Sequence, residues 1–176
     1  MPQNSLIEQF PSLMNLRRNH ALEHASIHVL SKQHPQYRFI GRSDFRGFYL
    51  LSRLPLEKLV PGLHDALKKL QSGQKHLAVH PNCGTNLLTG AFLAALSGYL
   101  VFNVPGKKKR NLVDQLEILP LAILGSMLSL VLAQPLGNAI QKNVTTLADL
   151  QNTSVVSVSS RPSGKYNLYR VITRHS

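Results

Sequence analysis

Two uncharged apolar runs in the middle of the chain narrow its possible folds more than any other feature. Asn86 to Val104 is 19 residues without a charged side chain. As a helix it would extend roughly 28 Å, close to the hydrocarbon thickness of a bilayer. Ile118 to Ala133 is a second such run, lengthened by Leu116 and Leu136, interrupted by Pro120, and bracketed by Glu117 and Gln134. Pro105-Gly106-Lys107-Lys108-Lys109-Arg110 lies between them as a basic turn. Gly90, Ala94 and Gly98 recur every four residues, the small-residue spacing that lets membrane helices approach closely. The reading is an antiparallel two-helix hydrophobic hairpin over residues 86–136, transmembrane or re-entrant. A buried helical pair in a soluble core is the competing arrangement.

The flanking segments have different periods. From Leu13 to Lys32 the spacing of Leu13, Leu16, Leu22, Ile27 and Leu30 predicts a helix that stops before Pro35. Tyr37 to Gly41 and Phe45 to Leu51 read as a β-hairpin turning at Arg42-Ser43-Asp44. Pro55 opens a second helix to Leu70, Pro61 falls inside its first turns, and Gly73 ends it. His76 to His80 reads as a short strand, and a polar helix is expected from Gly137 to about Leu150. Ser154 to Ser159 and Tyr166 to Thr173 form another hairpin around Arg161-Pro162-Ser163-Gly164-Lys165. The expected fold class is α+β: a small sheet built from β-hairpins, with helices packed on it and the hydrophobic hairpin inserted. The organisation is an N-terminal region 1–85, the hairpin 86–136, and a C-terminal region 137–176 completing the same domain.

Charge bears on partners. Twenty Lys and Arg against eight Asp and Glu give a formal +12 in 176 residues, which attracts anionic surfaces. The basic residues are scattered, Lys107 to Arg110 being the only dense run, and no nucleic-acid motif accompanies them. Membrane lipids, not nucleic acid, are therefore the expected anionic partner, with a membrane protein as a further one. Met1 to Asn15 has no apolar run and does not read as a signal peptide, which places the soluble part in the cytoplasm. The basic turn would then face outward, against the positive-inside tendency, unless the hairpin is re-entrant or inverted. Tryptophan, a common interface marker, is absent, and the single cysteine allows no internal disulfide.

The chemistry concentrates in Asn19-His20-Ala21-Leu22-Glu23-His24-Ala25-Ser26-Ile27-His28. On a helix, His20, His24 and His28 line one stripe with Glu23 beside it. A carboxylate among imidazoles on an apolar helix is costly to bury unless something pairs with it. His20-Ala21-Leu22-Glu23-His24 matches H-x-x-E-H, in which two imidazoles hold one zinc and the glutamate takes a proton from the attacking water. His20 and His24 sharing a zinc would bring their ring nitrogens within about 3 to 4 Å, given bonds near 2.0 to 2.1 Å. Further ligands are found in His80-Pro81-Asn82-Cys83-Gly84, where a histidine and a thiol three residues apart can converge in a turn. Otherwise Cys83 is a small hydrophobe at a helix start and His80 a turn histidine bonded to backbone. His64 and His76 read as surface residues, His34 as a loop residue and His175 as part of a frayed end.

Two resemblances add to this. The H-x-x-E-H pentapeptide resembles the motif of the inverted zincins, the insulinase and pitrilysin type of peptidase. In that family a glutamate on a later helix completes the metal site; no second motif supplies one here. Over its whole length, through Arg18 to Ala25, the Gly41 to Gly47 hairpin, His80 to Asn86 and the hydrophobic hairpin, the chain resembles an uncharacterised family of small membrane-associated proteins from cyanobacteria and related photosynthetic bacteria. That resemblance implies membrane association and no particular activity.

The combined expectation is a membrane-associated metal-binding protein. His20, His24, His80 and Cys83 are its candidate ligands for zinc or another divalent ion, and Glu23 its candidate general base. Peptide or lipid-like hydrolysis is the enzymatic form of the reading. A membrane protein or assembly factor with a structural metal, or with a pigment or haem contact, is the non-enzymatic form.

Overall fold

The computed structural model describes residues 10–103 and 111–175. These fall into two compact units, one of residues 10–80 and 141–175 and the other of residues 81–103 and 111–140.

The first unit is α+β. Helix α1 (Pro11–Gln33) starts with a proline in its first turn and ends at His34, before Pro35. Strands β1 (Ile40–Asp44) and β2 (Gly47–Ser52) form one hairpin. Helix α2 (Leu56–Gln71) begins after Pro55, passes through Pro61 without a break, and is followed by Gly73 at φ +91°. Strands β3 (Thr153–Ser163) and β4 (Tyr166–His175) form the second hairpin. All four strands join in one antiparallel sheet in the order β1-β2-β4-β3. Alternation along β2 and β4 sends Phe48, Leu50, Tyr169 and Val171 inward, where they meet Leu22, Ala25 and Leu30 of α1 and Leu59, Leu63 and Leu70 of α2. The Tyr169 hydroxyl is satisfied by donating to the Leu54 carbonyl.

Three segments depart from expectation. The first hairpin turns at Phe45-Arg46, so Arg42-Ser43-Asp44 is strand and not turn. The Asp44 carboxylate accepts the Arg46 amide at 2.8 Å, an Asx turn that reverses the chain within two residues. Residues 75–78 form a 3₁₀ turn and not a strand: the Val79 amide bonds the His76 carbonyl, and the Ala78 carbonyl is taken by His24 of α1. No polar helix runs to Leu150: a π turn at Gln141–Thr145 leads into extended chain, whose Leu147 amide bonds the Arg17 carbonyl at 3.0 Å.

The chain also reaches further at its C-terminal strand than a frayed end would. His175 sits in a network around Asn19, which is fully buried. Asn19 donates through Nδ2 to the Asp44 carbonyl (2.9 Å), so its Oδ1 is an acceptor. It receives the Thr173 hydroxyl (2.6 Å) and His175 Nε2–H (2.9 Å), while His175 Nδ1 accepts from Thr153 (2.9 Å). Burial and then the nearby Arg18 charge lower the His175 ring from 6.5 to about 4, so the folded chain holds it neutral. The unfolded chain takes up this proton first. The group's contribution is therefore complete above about pH 6.5 and is lost as pH falls toward 4. Urea unfolding at pH 7 and pH 4.5 should show lower stability at pH 4.5, with a smaller difference in His175→Gln. An equal difference in the two proteins would refute this role.

The second unit is the hairpin of α3 (Gly84–Phe102) and α4 (Leu112–Ile140). The predicted Lys107 to Arg110 turn lies outside the described residues. Both helices are long and apolar enough to cross a membrane. Their outward residues are bare, with Leu87 at 77% and Val131 at 70% exposed. Pro120 and Pro135 both lie inside α4. Gly90 packs toward Leu130 and Ala133, and Ser126 Oγ donates to the Ala94 carbonyl at 3.3 Å. Gly98 faces open space, so the small-residue contact covers two of the three predicted positions. At one end Asn86 Nδ2 donates to the Pro81 carbonyl (2.8 Å) and Asn138 Oδ1 (2.9 Å), in room left by the absent side chain of Gly137.

Candidate metal centre

Helix α1 presents two polar stripes, each at four-residue spacing, and they do different things. Asn19 and Glu23 face the sheet. His20, His24 and His28 face the 3₁₀ turn and the π turn, together with His80.

The Glu23 carboxylate is buried against β1 and accepts the Ser43 hydroxyl. Gly41 makes the room: a Cβ there would stand 2.7 Å from Glu23 Cδ. Burial raises the Glu23 carboxyl above the ordinary carboxylate range, against the opposing effects of the Ser43 bond and the His20 charge. Glu23 is thus held by the sheet while lying next to His20 electrostatically.

The stripe histidines are locked by backbone carbonyls. His20 Nδ1 lies 3.0 Å from the Thr145 carbonyl, His24 Nδ1 2.8 Å from that of Ala78, and His28 Nε2 2.8 Å from that of Val79. A carbonyl only accepts, so each of these nitrogens carries the proton. In the neutral rings the lone pair is then on Nε2 of His20 and His24 and on Nδ1 of His28. Backbone carbonyls fix metal-binding histidines in the same way elsewhere, setting tautomer and ring direction. The His20 and His24 ring centroids are 4.3 Å apart, and a nitrogen of one ring lies within 4.8 Å of a nitrogen of the other.

His80 joins this row. Its ring is 5.8 Å from that of His24 and 4.8 Å from that of His28. Its backbone amide donates to Gln141 Oε1 at 2.9 Å. Burial, followed by the neighbouring His28 and His24 charges, lowers it to about 4. A neutral imidazole is the form that binds metals. Cys83 belongs to the hairpin unit, where it stands at the N-cap of α3 and its Sγ accepts the Thr85 amide at 3.4 Å. His64 and His76 are exposed, and His34 lies beside Tyr37 in the loop after α1.

The donor set suits a borderline divalent ion: several imidazoles, with the nearest carboxylate directed to Ser43. Gln141 was not legible as part of this centre. A glutamine directly after an apolar helix looks like ordinary helix-end polarity, and only the fold brings its amide to His80.

Residues 15–158 match the family described as a domain of unknown function, DUF6391. An uncharacterised protein of Picosynechococcus sp. (strain ATCC 27264 / PCC 7002 / PR-6) is 30% identical over 148 residues, covering 78% of this chain and 69% of that protein. No solved structure matches the chain.

Proposed function

The chain belongs to the DUF6391 family, and we propose that it is a membrane-anchored protein carrying a divalent-metal centre, most suitably zinc, on helix α1. The observation that supports this best is the pair of carbonyl-locked imidazoles. One nitrogen of each ring is taken by the Thr145 and Ala78 carbonyls, and the two rings bring a nitrogen each within 4.8 Å of the other. In this reading His20 and His24 hold the ion, His80 stands next in the row, and the His80–Cys83 spacing in the sequence offers a thiolate as a further donor. The bare apolar faces of α3 and α4 lie in the bilayer, and the α+β unit is on the cytoplasmic side.

Glu23 decides between a structural and a catalytic centre. Its bond to Ser43 favours a structural carboxylate that fixes α1 on the sheet. Its place beside His24 in the H-x-x-E-H pentapeptide supports the second reading, hydrolysis of a peptide or lipid-like substrate. Zinc, when bound, would supply Lewis acidity toward the substrate carbonyl, and Glu23 would take the proton of the attacking water. Glu23→Gln separates the two. A hydrolase keeps its ion and loses turnover by about 100-fold or more, whereas a structural role leaves any measured turnover unchanged and lowers stability.

Anchoring is tested by alkaline carbonate extraction of membranes. The protein should stay in the pellet with integral proteins, and its release into the supernatant would remove the hairpin from the bilayer.

A further inference from the structure

We infer that the π turn Gln141–Thr145 is the positioning element of the histidine row, and that Gln141 is its principal positioning residue. This deepens the metal reading, and it rests on that reading only for the metal-affinity measurement below. The turn carries an i to i+5 bond, from the Thr146 amide to the Gln141 carbonyl at 2.9 Å, and the Thr146 hydroxyl reinforces it at 2.8 Å. One widened turn re-aims the carbonyls and side chains that follow, which is why such turns recur at functional sites. Here two of its groups reach the row. The Thr145 carbonyl takes the Nδ1 proton of His20, and the Gln141 side-chain oxygen takes the backbone amide of His80. Gln141 is fully buried, and its side-chain oxygen supports the backbone of another segment. Arg17 ties the same turn to α1 from the side, donating to the Asn143 (3.0 Å) and Thr146 (3.3 Å) carbonyls. An α-helical turn would carry its bond at i to i+4, and the carbonyl that orients His20 would be directed elsewhere.

The opposite rim works in the same way. The carbonyls of Ala78 and Val79 hold His24 and His28. His80 follows them directly, so its amide bond to Gln141 joins the two rims. Removing the Gln141 acceptor should loosen His80 relative to His20 and His24 without touching any imidazole. Gln141 is thus a positioning residue acting through His80.

The test uses the full chain in detergent or nanodiscs, with Co(II) as probe, comparing Gln141→Met with Gln141→Glu. Methionine keeps the length and removes the acceptor; glutamate keeps the acceptor. Gln141→Met is expected to lose about 10–100-fold in Co(II) affinity, as supporting partners of metal ligands do, and to change the visible absorption of the complex. Gln141→Glu is expected to stay within a few-fold of wild type. Wild-type affinity and spectrum in Gln141→Met would overturn the inference. A wild type that takes up no Co(II) would instead overturn the metal reading. The inference is then decided on the metal-free protein, from the His80 amide proton shift and the His20 and His80 ring nitrogen shifts: changes in Gln141→Met support it, and unchanged shifts refute it. Should Gln141→Met not fold, Gln141→Asn, which draws the acceptor back by one methylene, is read by the same measurements.

Discussion

Wild-type protein purified without chelator is expected to carry close to one equivalent of zinc, and His20→Ala and His24→Ala should each reduce its affinity by well over about 100-fold. The size of the effect follows from what is removed. Substituting the partner of a ligand costs about 10–100-fold, and removing one of two adjacent imidazoles takes away a bond to the ion itself. Both rings already have their tautomers set by the Thr145 and Ala78 carbonyls, so little ordering remains when the ion arrives. His28→Ala, which loses a ring bonded to Val79, should have the smaller effect. The measurement is metal content by mass spectrometry, followed by competition against a chelator of known affinity. Wild-type protein that folds normally and binds no divalent ion would retire the metal centre altogether. A wild type that binds while His20→Ala and His24→Ala bind equally well would move it elsewhere in the chain.

The second large effect is expected at Gly41, far from any ligand in sequence. Gly41→Ala places a methyl group where the Glu23 side chain lies, 2.7 Å from both Cγ and Cδ. Glu23 is packed between α1 and β1, so relief means moving its carboxylate off Ser43 or moving β1 off α1. Overpacking of this kind costs about 1–3 kcal/mol, and stranding a buried polar group adds about 1–3 kcal/mol. Together they predict a destabilisation of about 2–6 kcal/mol in denaturant unfolding. Glu23→Ala in the same background should restore part of the loss by vacating the space. A Gly41→Ala protein as stable as wild type would show that Glu23 is not held where the fold places it.

Much of the fold was legible because it rests on local periodicity. The α1 repeat, the aromatic and aliphatic run of β2, the alternation of β3 and β4 and the two uncharged runs each follow from a pattern that a single element must satisfy. Less of the site was legible. The stripe of His20, His24 and His28 follows from helix geometry, and so does the presence of Glu23 next to it. Its direction does not. Residues 19 and 23 share one face and 20, 24 and 28 another, and nothing local says that the first meets the sheet.

The segments read wrongly were residues 76–80 and 137–150, together with the turn at 42–44. Each is short, lacks a strong period, and takes its conformation from distant partners. The 3₁₀ turn stands where α1 histidines claim the carbonyls of Ala78 and Val79. The π turn is tied to Arg17, His20 and His80. By itself the sequence determined the helix that bears the imidazoles and the apolar hairpin, since both need only neighbours along the chain. The tertiary structure alone decided which nitrogen of each ring is left with its lone pair, where Glu23 points, and that Gln141 supports His80. Those depend on hydrogen-bond partners about 20 to 125 residues away in sequence, which no local pattern encodes.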